Sequence, residues 1–298
     1  MKRTKSPPKR SAVSGDDGEK KPLIANPHFK ENSVCEFITW LNDFMCYNIP
    51  PGPKLLPMHF IVNINKGTMM IYLFSLMCYF NNFSTGAWVY LALHGNYGIC
   101  WWVKDVVFPD AGFGGYSTFM SLLLPWPIAL IPYYYIGYWM MSGTHNRDPS
   151  AERIFCATQL YIFGVIFMLL TDAQKYLVLR ERRGLITHCM NGWSRNLNYL
   201  GEMMLYGSFG VMCQRWEVWA IYGYMWGVVF MLRMVVKQYS LSKKAEWEEY
   251  KQRTWPILPK LYNSNLFSIV FYALFFGLIY FCIQNGGMEA TAKMLLQK

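Results

Sequence analysis

Charge is scarce in this chain. Asp, Glu, Lys and Arg make up 15% of its 298 residues, where a soluble globular protein carries roughly 25%. Acid is the scarcer sign, with 18 Asp and Glu against 28 Lys and Arg, a net charge of +10. With hydrophobic residues at 53% and aromatics at 18%, this composition excludes a soluble globular enzyme, a disordered regulator and a collagen-like fibre. Paired cysteine spacing is also missing. None of Cys35, Cys46, Cys78, Cys100, Cys156, Cys189, Cys213 and Cys282 forms a Cys-x-x-Cys pair, so neither a disulfide framework nor a metal site is expected, and the thiols are inert packing groups. The basic start MKRTKSPPKR has no apolar run behind it and is not a cleavable signal peptide. The Gly-x-Gly-x-x-Gly fingerprint of soluble dinucleotide folds is absent. Gly112-Phe113-Gly114-Gly115 follows no strand and is expected to be a loop.

What remains is an integral membrane protein, expected to be an all-α polytopic helical bundle. Residues 1–33, rich in Lys, Ser, Pro and Gly, form a solvated basic tail. In 34–57, Val34, Phe37, Ile38, Leu41, Phe44 and Met45 recur at helical spacing, which predicts an amphipathic helix at the bilayer interface, stopped by Ile49-Pro50-Pro51-Gly52-Pro53. Apolar spans follow at about 67–80, 86–107, 116–141, 154–172, 199–213, 216–236 and 266–284. Crossing ~30 Å of hydrocarbon takes about 20 residues, so 67–80 is expected to begin nearer Phe60, and 199–213 to form a tight hairpin with the span after it. The expectation is about seven transmembrane helices. Residues 58–262 form the main membrane domain and 263–298 an additional C-terminal helix and tail.

Lys and Arg test the orientation. With the N-terminus in the cytosol, the inside segments hold nine in 1–57, five in 173–198 and six in 237–265, while the outside holds Arg147, Arg153, Arg215, Lys293 and Lys298. That is a strong positive-inside bias.

Polar groups in or beside the spans mark the candidate site, because charge at membrane depth costs several kcal/mol and normally faces a bundle interior. His94-Gly95-Asn96-Tyr97-Gly98 suggests a helix break lining a cavity. Lys104-Asp105 sits either in that cavity or at a snorkelling helix end. Asp172 shares a face with Lys175 and Tyr176, either as an internal pair or as part of a cation-rich face for a phosphate-bearing ligand, with Arg180 beyond. Arg195-Asn196-Leu197-Asn198-Tyr199-Leu200-Gly201-Glu202 supplies a guanidinium fork, amide and phenol groups, and an acid carried into an apolar stretch.

Asp172-Ala173-Gln174-Lys175, the Arg195–Glu202 octet, and Glu246-Trp247-Glu248-Glu249-Tyr250 leading to Pro256 resemble the steroid 5α-reductase superfamily, in particular its membrane proteins carrying the steroid-reductase C-terminal domain; sterol reductases are more distant. The likeness covers about residues 85–262. Leu197 stands where the family has Pro, which loosens the loop before the helix, and the 266–284 span lies beyond the family core. The resemblance implies NADPH in a cytosol-facing cavity, with Arg195, Lys175 and Arg180 on its phosphates. Asn198, Tyr199, Asp172 and Glu202 would meet its ribose and nicotinamide portions, and Tyr250 would close the site. Glu202 and Tyr199 are the catalytic candidates, and Tyr133, Tyr134, Tyr135 and Tyr138 are further candidate proton donors. The implied reaction is hydride transfer to a carbon–carbon double bond of a sterol-like or enoyl lipid drawn from the bilayer.

Two other classes compete. Isoprenylcysteine and phospholipid methyltransferases resemble the same superfamily and use S-adenosylmethionine; Glu202 directly after Gly201 favours the reductase. A non-catalytic subunit with membrane-complex partners is motivated by Leu197 and the extra terminal helix. Membrane lipids are expected partners and nucleic acid is not. The resemblance implies the endoplasmic reticulum, with a mitochondrial membrane as the alternative.

Overall fold

The computed structural model describes residues 25–124, 131–143 and 147–297, and these are overwhelmingly helical. Helix α1 (Ser33–Tyr47) is capped by the Asn32 side chain, which accepts from the Cys35 amide. The first long rod joins α2 (Met58–Gly67) to α3 (Met69–Tyr79), and the second runs α4 (Thr85–Tyr90), a π-helical turn at Leu91–Gly95, then α5 (Asn96–Val107). A pair of two-residue strands, β1 (Leu56–Pro57) and β2 (Tyr116–Ser117), runs antiparallel. After them come α6 (Phe119–Leu123), α7 (Ile131–Ser142) and the 31-residue α8 (Ala151–Glu181).

Short α9 (Cys189–Trp193) leads into α10 (Leu197–Cys213). The next rod is α11 (Trp216–Tyr224), a second π turn at Met225–Phe230, and α12 (Met231–Ser242). Helices α13 (Trp247–Arg253), α14 (Asn265–Gln284) and α15 (Met288–Leu296) finish the chain.

Four helices among the described residues are long and apolar enough to cross a membrane: Met58–Tyr79, Ala151–Glu181, Trp216–Ser242 and Asn265–Gln284. The first starts early, as the shortness of 67–80 predicts. The 116–141 stretch is not one continuous helix. Tyr116–Ser117 pairs as a strand, Thr118 precedes α6, and 125–130 lie outside the described residues. Of the tail expected over 1–33, 1–24 lie outside the described residues; after them Asn26 bonds the Lys243 and Ser242 backbone and Phe29 packs on Tyr239.

Helix α10 lies at the centre, burying Leu205, Tyr206, Phe209 and Met212 against Tyr90, Tyr97, Met140 and Met168. The connections gather at two ends. At one, Asn82 bonds the Met141 carbonyl, Gly86 bonds the Arg147 carbonyl, and Glu152 accepts from the first amides of α15. At the other, Asp110 meets Lys175, Tyr250 meets Asn191, and Lys244 meets Gly184. The candidate site opens toward this second end.

Candidate functional site

Two backbone contacts assemble the site. A Cβ on Gly98 would stand 2.0 Å from the Lys66 carbonyl oxygen, so only glycine lets α5 lie this close to α2. A Cβ on Gly201 would stand 2.6 Å from the Gly164 carbonyl and from the Met168 amide, which holds α10 against α8 in the same way. Small residues at such crossings are how helices pack where lipid removes the hydrophobic drive. Side chains from α2, α5, α8 and α10 therefore converge.

In the inner part, Lys66 Nζ donates to the Tyr97 hydroxyl at 2.6 Å and lies 3.9 Å from Glu202 Oε2. The Tyr97 and Tyr206 hydroxyls donate to the same Glu202 oxygen at 3.3 and 3.4 Å. One turn along α5, the Trp101 ring lies between two ammonium groups, Lys66 at 3.5 Å and Lys104 at 4.3 Å from its centroid. Lys104 is paired with Asp172, and their side chains are only 5% and 6% exposed. Such a pair is costly to form but far costlier to halve. Behind Tyr97, His94 stacks on Phe209 and shares a hydrogen bond with Tyr90. His94 Nε2 and the Tyr133 hydroxyl, whose rings lie 4.3 Å apart, are buried without a hydrogen-bond partner among the described residues.

The outer part is a cation-rich mouth. Lys175 Nζ meets both oxygens of Asp110 at 3.1 and 3.2 Å. Lys237 donates to Asn198 Oδ1 at 3.3 Å, and Arg233 lies 4.8 Å from the Phe113 ring centroid. The Tyr199 ring packs edge-on against Phe230 and lies within electrostatic range of Arg233, Glu202, Asp110 and Asp172. Inner and outer parts together hold Lys66, Lys104, Lys175, Arg233 and Lys237 against Asp105, Asp110, Asp172 and Glu202. Positive charge is in excess. At the mouth, burial would raise the Asp110 carboxyl, but Lys175 and the Gly112 amide outweigh it and hold the group below its ordinary value.

Of the residues singled out from sequence, Asp172, Lys175, Asn198, Tyr199 and Glu202 meet around this one site. The sequence pattern left Asp172 free to pair with Lys175; in the fold Asp172 takes Lys104, and Lys175 takes Asp110. Lys104 is not a snorkelling helix end, being 4% exposed. Arg195 and Tyr250 lie elsewhere. Arg195 donates to the Lys251 and Thr254 carbonyls, and Tyr250 donates to the Asn191 carbonyl at 2.6 Å. Burial pushes the Tyr250 phenol up to about 12, with Arg195 acting against it. Arg180 is exposed and touches only Tyr176 among the described aromatic rings. Tyr134 and Tyr135 line an open groove with Tyr72 and Tyr138 on the outside of α7, while Tyr133 faces inward.

Sequence reasoning missed Lys66 and Tyr206 and named Tyr97 only as part of a broken helix. A lysine deep in the rod 58–79 is the signal that was available for Lys66, by the same cost argument that marked Glu202.

None of the curated proteins matches the chain. Residues 123–254 match a family described as proteins of unknown function, DUF1295, which is associated with steroid 5α-reductase-like membrane proteins. The match takes in Asp172, Lys175, Glu202, Arg233 and Lys237 but stops short of Lys66, Tyr97, Lys104 and Asp110.

Proposed function

We propose that this chain is a membrane-embedded reductase that uses NADPH to saturate a carbon–carbon double bond in a sterol-like or enoyl lipid. The observation that carries the reading is the Lys66–Tyr97–Glu202 network, set deep in the bundle behind a mouth with surplus positive charge. A proton-handling group beside a phosphate-attracting entrance is what the reaction needs.

The residues present fit the cofactor in part. Lys175, Lys237 and Arg233, all half-buried, suit its phosphates. Asn198 and Tyr199 lie one step further in. Arg195 Nη1 is taken by the Lys251 and Thr254 carbonyls, while its Nε is buried without a hydrogen-bond partner among the described residues. NADPH, when bound, supplies a hydride to one carbon of the double bond. Tyr97 Oη gives the proton to the neighbouring carbon, and Lys66 Nζ stabilises the phenolate left behind. Glu202 Oε2 orients the Tyr97 and Tyr206 hydroxyls and completes the route by which the proton is replaced. This makes Tyr97, with Glu202, the stronger catalytic assignment, and leaves Tyr199 to position the ligand. Excess positive charge works against the cationic sulfonium of S-adenosylmethionine, which disfavours the methyltransferase alternative.

The same reading sets the chain in the membrane. We infer that 85–107, α6 with α7, and α10 lie in the bilayer beside the four long apolar helices, seven spans in all with α6 and α7 taken as one, and with the Lys- and Arg-rich end in the cytosol. Helix α1 then lies at the interface, where Val34, Phe37 and Trp40 are exposed and Phe37, Trp40 and Phe44 stack in a row. The endoplasmic reticulum is the proposed membrane.

The test is the thermal midpoint of the purified protein in detergent. NADPH is expected to raise it in the parent and in Tyr97→Phe, since that phenol meets substrate, and to raise it much less in Lys237→Gln. With a substrate in hand, Tyr97→Phe is expected to lose about 10²–10⁴ in turnover. No shift in the parent refutes the reading.

A further inference from the structure

Residues 108–118 form a strap across the mouth. The strap begins where α5 ends at Val107 and is tied down at its far end by pairing of Tyr116–Ser117 with Leu56–Pro57. The Tyr47 hydroxyl of α1 donates to the Gly112 carbonyl, and Phe113 lies between Arg233 and Trp101. Its middle is latched by charge: Asp110 takes Lys175 with both oxygens and accepts the Gly112 amide at 2.9 Å.

Beneath the strap, the space between Trp101, Lys104, Asp105, Asp110 and Phe113 amounts to about 10 Å³, room for one water. Sites for small molecules run to roughly 300–1,000 Å³. As the strap lies here, that space admits nothing larger than water. The charges explain why it closes. Asp172 is spent on Lys104, and neither Lys237 nor Arg233 has a carboxylate within ion-pair distance among the described residues. Asp110 is therefore the only carboxylate that the described strap brings to Lys175, and it lies within electrostatic range of Lys237.

We propose that Asp110 is a built-in competitor: it holds the strap shut by standing in for a ligand phosphate on Lys175, and a phosphate-bearing ligand releases the strap by taking its place. The proposal rests on the reading above for the identity of that ligand, but its chemistry requires only a phosphate. A phosphate group carries about −1.5 to −2 charge against one for a carboxylate and offers three acceptor oxygens, so it can serve Lys175 and Lys237 together. Because only the open form binds, apparent affinity is reduced by the closed fraction.

The experiment titrates NADPH and, separately, inorganic pyrophosphate into the full chain in detergent, comparing the parent with Asp110→Asn. For a half-exposed ion pair the variant is expected to bind both about two- to fivefold more tightly, and adding Lys175→Gln is expected to abolish that gain. Tighter pyrophosphate binding with no NADPH binding in either protein upholds the latch and refutes the reductase. Equal affinity of parent and variant for NADPH refutes the latch and leaves the reductase standing. Binding of neither probe overturns the latch. Should Asp110→Asn not fold, amide exchange at Gly112 in the parent decides instead: pyrophosphate is expected to accelerate it, and unchanged exchange overturns the proposal.

Discussion

Helices α8 and α14 are alike in hydrophobicity and opposite in their surroundings. Both are apolar enough to cross a membrane. Helix α8 packs along α10 so closely that the Gly164 and Gly201 backbones touch, and it buries Thr171 and Asp172. Helix α14 buries only Ser268. It is tied to the chain at its base, where Trp255 bonds Asn265 and Tyr272 bonds the Pro259 carbonyl, while Leu266, Leu274 and Tyr280 lie open. Hydrophobicity therefore decides which segments enter lipid, whereas backbone approach and paired polar groups decide which of them associate there.

The sharpest way to break this contrast is to leave α8 with an unpaired charge. Lys104→Met strands the buried Asp172 carboxylate and is expected to cost about 3–5 kcal/mol; the double variant with Asp172→Leu should recover most of it, as read from unfolding in detergent. Next comes Gly201→Val, whose Cβ would meet the Gly164 carbonyl and the Met168 amide at 2.6 Å. A loss of about 3 kcal/mol is expected, since backbone cannot yield as a side chain does. On α14 the corresponding change is nearly silent. A Cβ on Gly277 meets nothing within 4 Å, so Gly277→Ala should stay within about 0.5 kcal/mol. A large effect there would mean that another molecule covers α14.

The smallest effect concerns pH. The Asp110 carboxyl is held below its ordinary value in the folded chain, so its contribution is complete above a free carboxyl's value of about 3.9 and drains away as pH falls through the lowered one. Between pH 5 and 8 the difference in thermal midpoint between parent and Asp110→Asn should be constant, and the two should converge at more acid pH.

Local chemistry made much of the fold legible. Apolar periodicity points to helices at 34–47 and 266–284, and they run Ser33–Tyr47 and Asn265–Gln284, because Asn32 and Ser264 cap them and Asn or Pro residues end the pattern. An irregularity near His94 was legible too, from two glycines and an asparagine in an apolar run, but it is a π turn within a continuous rod rather than a break, and His94 is packed against Phe209 instead of lining a cavity. The partners of Glu202 were not. Tyr97 lies 105 positions away in sequence, and its meeting with Glu202 depends on which backbones touch, which no local pattern encodes. The partners of Arg195 were not legible either: a guanidinium satisfies carbonyl oxygens as readily as phosphate, and Nη1 takes the Lys251 and Thr254 carbonyls of its own chain.

The π turn at Leu91–Gly95 accommodates one more residue than an α turn would, so the remainder of its rod is rotated by roughly 100° relative to an unbroken helix. Tyr97, Trp101 and Lys104, spaced to share one stripe, all ride on that rotation. One extra residue thus turns this stripe toward Lys66, Glu202 and Asp172, and deleting Ala92 is expected to swing Lys104 away from Asp172.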